Sequence, residues 1–235
     1  MPAMRAVGSA IIVLLVASAA HGGERAWQAP AQSMRDSFTF WGWSADGHRF
    51  AYETYSFSGG EPNDCVEQAV LTVYDTTNDR PAPDGVLRVA SGPRDAAGGC
   101  QVADVRAALA QRRGELLRRF AIVTRSAEPA TFDEGAHGDW TVALAGRRAA
   151  HARLDVDAAE SGAGLAYRLS LRLDGGGERT ITSRLAAGAE RPTLADALAF
   201  TDRGRHAVVV CVPVSYAVFH VYWSRWDCHA TELGR

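Results

Sequence analysis

The sequence predicts a mostly-β protein of α+β character, built from antiparallel β-meanders with one helical insertion. Three observations predict it. Apolar residues recur with a period of two through most of the chain. Asp-Gly and Gly-rich breaks separate these runs in the way hairpin turns do. One segment, 102–120, changes to the helical period.

The first meander opens with FWGWSADGHRFAYETYSF, from Phe40 to Phe57. Asp-Gly between alternating apolar residues is the strongest short hairpin signal. A turn centred on Asp46-Gly47 puts Trp43 opposite Phe50 and Trp41 opposite Tyr52; a loop from Ser44 to Gly47 instead puts Trp41 opposite Phe50. Either register gathers Trp41, Trp43, Phe50 and Tyr52 on one face, which we expect to be core. Phe38, Phe40, Glu53 and Tyr55 are left on a mixed opposite face. After a Gly/Pro/Asn loop at 59–64, CVEQAVLTVYD reads as the next strand.

The helical segment places Val102, Val105, Leu109, Leu116 and Phe120 on one face, with Arg106, Arg112, Arg113 and Arg119 away from it. With no Trp and a single Phe in the apolar stripe, this reads as a solvated basic face over a core-facing stripe, not a membrane-surface helix. From Trp140 the period returns to two. RLSLRLD alternates strictly, with Leu169, Leu171 and Leu173 on one face and Arg168, Ser170 and Arg172 on the other. Near the end, AFTDRGRHAVVV aligns with GWSADGHRFAYE, Gly204 on Gly47 and Phe200 on Trp43. We read this as a degenerate internal repeat of strand, turn and strand.

The segment AVGSAIIVLLVASAA reads as the apolar part of a signal peptide spanning 1–20, cleaved after a small-x-small site at Ser18-Ala19-Ala20 or one residue earlier. Its apolar core is far shorter than the ~20 residues of a membrane span. Residues 21–37 read as a linker, and 38–235 as a single exported domain, periplasmic or secreted, without stable membrane insertion after cleavage. In an oxidising compartment the four cysteines imply two disulfides. Three pairings are possible. We expect Cys65–Cys100 and Cys211–Cys228, because each closes a local excursion between strands.

Charge and motifs exclude several function classes. The formal net charge is −2, and all 25 basic residues are Arg. A nucleic-acid partner would need a basic field, so none is expected. No Gly-x-Ser-x-Gly elbow is present, and DGGGER joins two strands without opening a helix, so no nucleotide or other cofactor is implied. Asp133, Glu134, His137 and Asp139 offer metal-ligand chemistry, but their spacing fits neither an EF-hand nor a zinc motif. Asp155 and Asp157 share a strand face, where paired carboxylates could serve acid–base chemistry. Tyr55, Trp223 and Trp226 are the candidate ligand-contacting aromatics.

GWSADGHRFAY resembles the WSPDG-type unit of bacterial β-propeller repeats. Over a longer stretch, from Phe40 to Val123 and again at the final Gly204 hairpin, the chain resembles a family of predicted secreted bacterial proteins of unknown function. The shared pattern is the aromatic-Ser-x-Asp-Gly hairpin ending FAYETY, the strand ending VYD, and the Arg/Ala helix ending LLRRFAI. The family's closing segment tends to carry a Gly-Phe-Glu-Gly type run. VYWSRWDCHATEL stands here instead, which makes this chain a divergent member. The resemblance implies a propeller-like arrangement of the meanders and brings no catalytic residues. The alternative architecture is a β-sandwich-like α+β domain. The expected function is an exported, non-catalytic binding or interaction protein, with a protein, small-molecule or glycan partner. The rival is a periplasmic hydrolase or metal-dependent enzyme using Asp133, His137 and Asp139.

Overall fold

The computed structural model describes residues 27–28, 37–57, 67–94, 96–102, 104–124, 129–135, 139–144, 148–158, 165–173, 178–184, 189, 192–201, 207–218 and 221–232. They form a mostly-β protein with one helix among the described residues, and every strand pairing is antiparallel.

The first sheet runs in the order β1 (Trp27–Gln28), β2 (Ser37–Ser44), β3 (Arg49–Phe57), β4 (Glu67–Asp75) and β5 (Arg80–Ala90). A short strand β6 (Ile122–Thr124) also pairs with β2. Trp27 and Gln28 fall within the stretch expected to be a linker, yet they extend this sheet against Phe40 and Thr39. Residues 1–20, read as a signal peptide, lie outside the described residues.

The first hairpin has the Trp43–Phe50 pair of the tighter of the two turns, but not the expected faces. The register shifts between Phe40 and Gly42, so Trp41 becomes an extra residue and Phe40 pairs with Tyr52. Gly42 sits at φ 132°, a region open to glycine, and permits this bulge. One added residue inverts the side-chain alternation before it. Phe38, Phe40, Trp43 and Phe50 therefore share the buried face, while Trp41 and Tyr55 turn to the opposite one. The turn itself is closed by Gly47 N–H donating to the Ser44 carbonyl at 3.0 Å, with Gly47 at φ 74°.

Helix α1 (Val105–Arg119) covers that opposite face, lying over β4 and β5. Asp104 caps it, accepting from the Ala107 N–H at 2.9 Å, and Arg118 and Arg119 complement the dipole at its end. Val105, Leu109 and Leu116 are buried as the period predicts, with Val102 and Phe120 packed partly buried beside them. Arg113 does not point to solvent as expected. Its guanidinium lies 4.0 Å from the centre of the Trp41 ring and 3.1 Å from Glu53, which also accepts from the Trp41 indole N–H. Gly114 is a weak point of the helix. A Cβ there would meet only Arg118 Nη1 at 3.6 Å, an ordinary contact. Gly114→Ala is expected to raise stability by about 0.5–1 kcal/mol, read as a higher denaturation midpoint with unchanged slope.

The second sheet has eight strands. β7 (Ala130–Glu134), β8 (Asp139–Leu144), β9 (Arg148–Ala158), β10 (Leu165–Leu173) and β11 (Glu178–Arg184) form a meander to one side. The chain then returns to pair β12 (Leu198–Thr201) with the other edge of β7, and β13 (Ala207–Val218) and β14 (Val221–Glu232) continue outward. The sheet curls until its two ends approach: Ser183 on β11 and Tyr167 on β10 both donate to Asp227 on β14. The result is nearly closed and barrel-like, filled by Phe132, Val142, Leu169, Leu171, Val210 and Val212 among others. Leu169 and Leu171 face in and Arg168 and Arg172 face out, as the strict alternation predicts.

Between the sheets lies an aromatic layer. Phe40 stacks on Phe200 at 4.3 Å, Phe38 meets Trp226 at 4.7 Å, and Phe50 meets Tyr74 at 5.1 Å. The two hairpins read as a repeat thus pack on one another through Phe40 and Phe200, although Gly204 lies outside the described residues. β13 is apolar on successive residues because it has a core on each side: Val208, Val210 and Val212 fill the barrel, and Val209 and Cys211 face the aromatic layer. Cys211 and Cys228 are directly opposed on β13 and β14 and form the expected disulfide. Cys100 is also disulfide-bonded; Cys65, its expected partner, lies outside the described residues.

Candidate functional site

Two polar assemblies stand out from this frame. The first joins the sheets. Cross-strand pairing sets Asp227 beside Val212 and His229 beside Val210, so both side chains share the barrel-facing side of β14. Tyr167 Oη donates to Asp227 Oδ2 at 2.8 Å, and Ser183 Oγ donates to the same oxygen at 2.6 Å. His229 Nε2 lies 3.1 Å from Tyr167 Oη and 3.4 Å from Asp227 Oδ2. Its Nδ1 lies 3.4 Å from Oδ2 of Asp79, which belongs to the β4–β5 turn of the other sheet. Asp79 is held there at φ 46° and accepts from the Ala230 N–H at 2.6 Å and Tyr74 Oη at 3.0 Å.

The electrostatics follow from burial opposed by pairing. Burial pushes the Asp227 carboxyl up, but hydrogen bonds from His229, its charge, and the Ser183 and Tyr167 hydroxyls prevail and bring it down to about 2. Burial pushes the His229 imidazole down, but Asp227 and Asp79 prevail and raise it to about 9. Asp79 is likewise burdened by burial yet falls below the usual carboxylate range, chiefly through His229 and the Ala230 N–H. Burial and then the Asp227 charge raise Tyr167, and burial and then the Asp79 charge raise Tyr74. At neutral pH this is an imidazolium between two carboxylates.

Serine, histidine and aspartate are all present, but in an order unsuited to nucleophilic catalysis. That chemistry needs the hydroxyl on a neutral imidazole nitrogen. Here Ser183 and His229 both address Asp227, and the imidazole is already protonated. The group acts as a fastener that closes the barrel and ties it to the first sheet.

The second assembly is an open groove of about 490 Å³ on the outer face of β8 to β11. Its floor is set by register. Arg168 lies opposite Asp155, Ser170 opposite Arg153 and Thr180, and Arg172 opposite His151 and Glu178. Asp139 joins across from Arg153. Arg153 Nε is tied to Asp155 Oδ1 at 3.0 Å, and the Ser170 and Thr180 hydroxyls are 3.4 Å apart. Arg168 and Arg172 are exposed and form no ion pair among the described residues.

The residues singled out from the sequence are dispersed. Asp139 and Asp155 both line the groove, whereas Asp157 lies farther along β9, opposite Ala166. Asp133 and Glu134 are exposed on β7, opposite Thr141 and Trp140. His137 lies outside the described residues, and among those described no group of three or more His, Cys, Asp or Glu could hold a metal ion. Tyr55 packs under α1 with the Arg106 guanidinium 3.8 Å from its ring centre. Trp226 is half-buried in the aromatic layer, on the other face of the first sheet. Trp223 is in β14 opposite Tyr216, with its side chain outside those described. Tyr55 and Trp226 do not share a surface.

Sequence reasoning missed the fastener. Asp227 and His229 flank Cys228 in WDCH, and period two alone puts them on one strand face. No local signal marks Asp79, Tyr167 or Ser183. No family model, curated protein or solved structure matches this chain.

Proposed function

We propose that the protein is an exported, non-catalytic binding or interaction protein, and that the groove across β8–β11 is its ligand seat. The observation that carries this reading is the groove's composition: exposed guanidiniums, carboxylates and hydroxyls presented together on a strand scaffold. Rigid strands with polar side chains at fixed spacing suit recognition. The internal pairing of the fastener supports a structural use for its histidine. The Cys211–Cys228 disulfide is compatible with an oxidising compartment, and among the described residues no helix is long and apolar enough to cross a membrane. The antiparallel meander β2–β5 supports kinship with propeller-blade units and with the secreted family that the first hairpin resembles.

Panels of glycans and small molecules, screened by thermal shift against the purified protein, test the reading. Saturable binding is expected, with the ligand recovered unchanged by mass spectrometry. Turnover of a bound ligand that disappears in Asp139→Asn would overturn it. So would a stoichiometric metal whose chelation destabilises the protein, the outcome that the rival metal-dependent enzyme requires.

A further inference from the structure

We propose that the groove takes an acidic saccharide, a chain of hydroxyl-bearing rings carrying carboxylates. The inference rests on the binding reading above and narrows it to one ligand chemistry.

Three features of the groove converge. Arg168 and Arg172 project from the same face of β10 four residues apart, about 13 Å at the usual strand rise. One carboxylate cannot serve both, so the ligand carries acid groups on separate rings. A guanidinium fork takes a carboxylate through two parallel hydrogen bonds, and neither fork is engaged in an ion pair among the described residues. Between them lie Ser170 and Thr180, whose hydroxyls both donate and accept. Beside them, the exposed Asp139 and Glu178 carboxylates accept only, and sugar hydroxyls donate.

The mixture of signs selects the class. Arg153 is neutralised by Asp155, which leaves Arg168 and Arg172 against Asp139 and Glu178. A polyphosphate or nucleic acid would set its charges against those two carboxylates with no hydroxyl-rich face to compensate. The chain's formal net charge of −2 adds no attraction for a plain polyanion. The lining contains no Phe, Tyr or Trp, so affinity comes from charge-assisted and hydroxyl hydrogen bonds. It is therefore expected to weaken as salt rises.

Calorimetric titration of the full-length mature protein with oligogalacturonate decides it, with the methyl-esterified oligomer, a neutral glucan and single-stranded DNA as comparisons. Saturable binding to the acid oligomer is expected, weaker in high salt and lost with the methyl ester. Arg168→Gln combined with Arg172→Gln should reduce it by about tenfold or more while leaving the melting temperature unchanged, since both side chains are exposed. Absence of binding to the acid oligomer overturns the proposal. Equal binding of the methyl ester, or of DNA, overturns the chemical class. Undiminished binding by the double variant overturns the groove assignment, while the protein's role as a binder stands.

Discussion

Asp227→Ala is expected to destabilise the protein by about 3–5 kcal/mol, the usual cost of removing one partner from a buried ion pair. The loss is large because one carboxylate oxygen serves three groups. Without it, the Tyr167 and Ser183 hydroxyls lose their carboxylate acceptor, and Asp79 is the one carboxylate left to His229 among the described residues. The barrel ends are then no longer joined through this side chain. A linked pH dependence accompanies the mutation. Asp227 is depressed from its ordinary 3.8 to about 2, so its contribution is complete above pH 3.8 and disappears as pH falls through 2. His229 is raised from 6.5 to about 9, so its contribution is complete below pH 6.5 and disappears as pH rises through 9. Denaturant titrations of the wild type should accordingly show greatest stability from these two groups between about pH 4 and 6.5, falling on both sides. In Asp227→Ala the alkaline fall should be shallower, because Asp79 alone sustains the imidazolium. An unchanged midpoint, or a wild-type stability that rises between pH 6.5 and 9, would refute the fastener.

Trp43→Ala should cost a similar ~3–5 kcal/mol, as a large core truncation. The indole is 8% exposed and packs against Phe50 at 5.6 Å and Phe40 at 6.2 Å within the layer between the sheets. Trp43→Phe should be much milder than its change in size suggests. The indole N–H is buried and finds no acceptor among the described residues, so Phe removes an unsatisfied donor together with the lost volume. Trp41→Ala provides the contrast: that ring sits on the helix side, with Arg113 and Glu53. A melting temperature indifferent to Trp43→Ala would place this ring outside the core.

These residues also show what was legible beforehand. Strict alternation placed Leu169 and Leu171 inside and Arg168 and Arg172 outside, because a period of two is a local property. The helical stripe from Val102 to Phe120 and the Cys211–Cys228 pair were readable for the same reason. The hairpin faces were misjudged because a single extra residue at Trp41 inverts the alternation, and Gly42 carries no unambiguous mark of a bulge. The fastener was not legible because Asp79 and His229 are separated by 150 positions. Only the three-dimensional pairing of β7 with β12, and the contact of the two sheets, brings such distant residues together. The groove was half legible: Asp139 was noticed with Asp133, Glu134 and His137, and Asp155 with Asp157, but the meeting of Asp139 with Asp155 depends on the β8–β9 register.

The return of β12 to the free edge of β7 also bears on a chain made from its amino terminus. β7 has a partner on one side as soon as β8 is made, but its second neighbour arrives only after the entire β8–β11 meander has been laid down. Until then Phe38, Phe40 and Phe50 present an uncovered aromatic surface, since the residues that cover it come from β12 to β14. Such late, long-range closure slows folding and leaves partly folded chains prone to association. A chain emerging amino-terminus first would remain adhesive on that face until its last hairpin joins. The C-terminal strands thus decide when the first sheet becomes inert towards its neighbours.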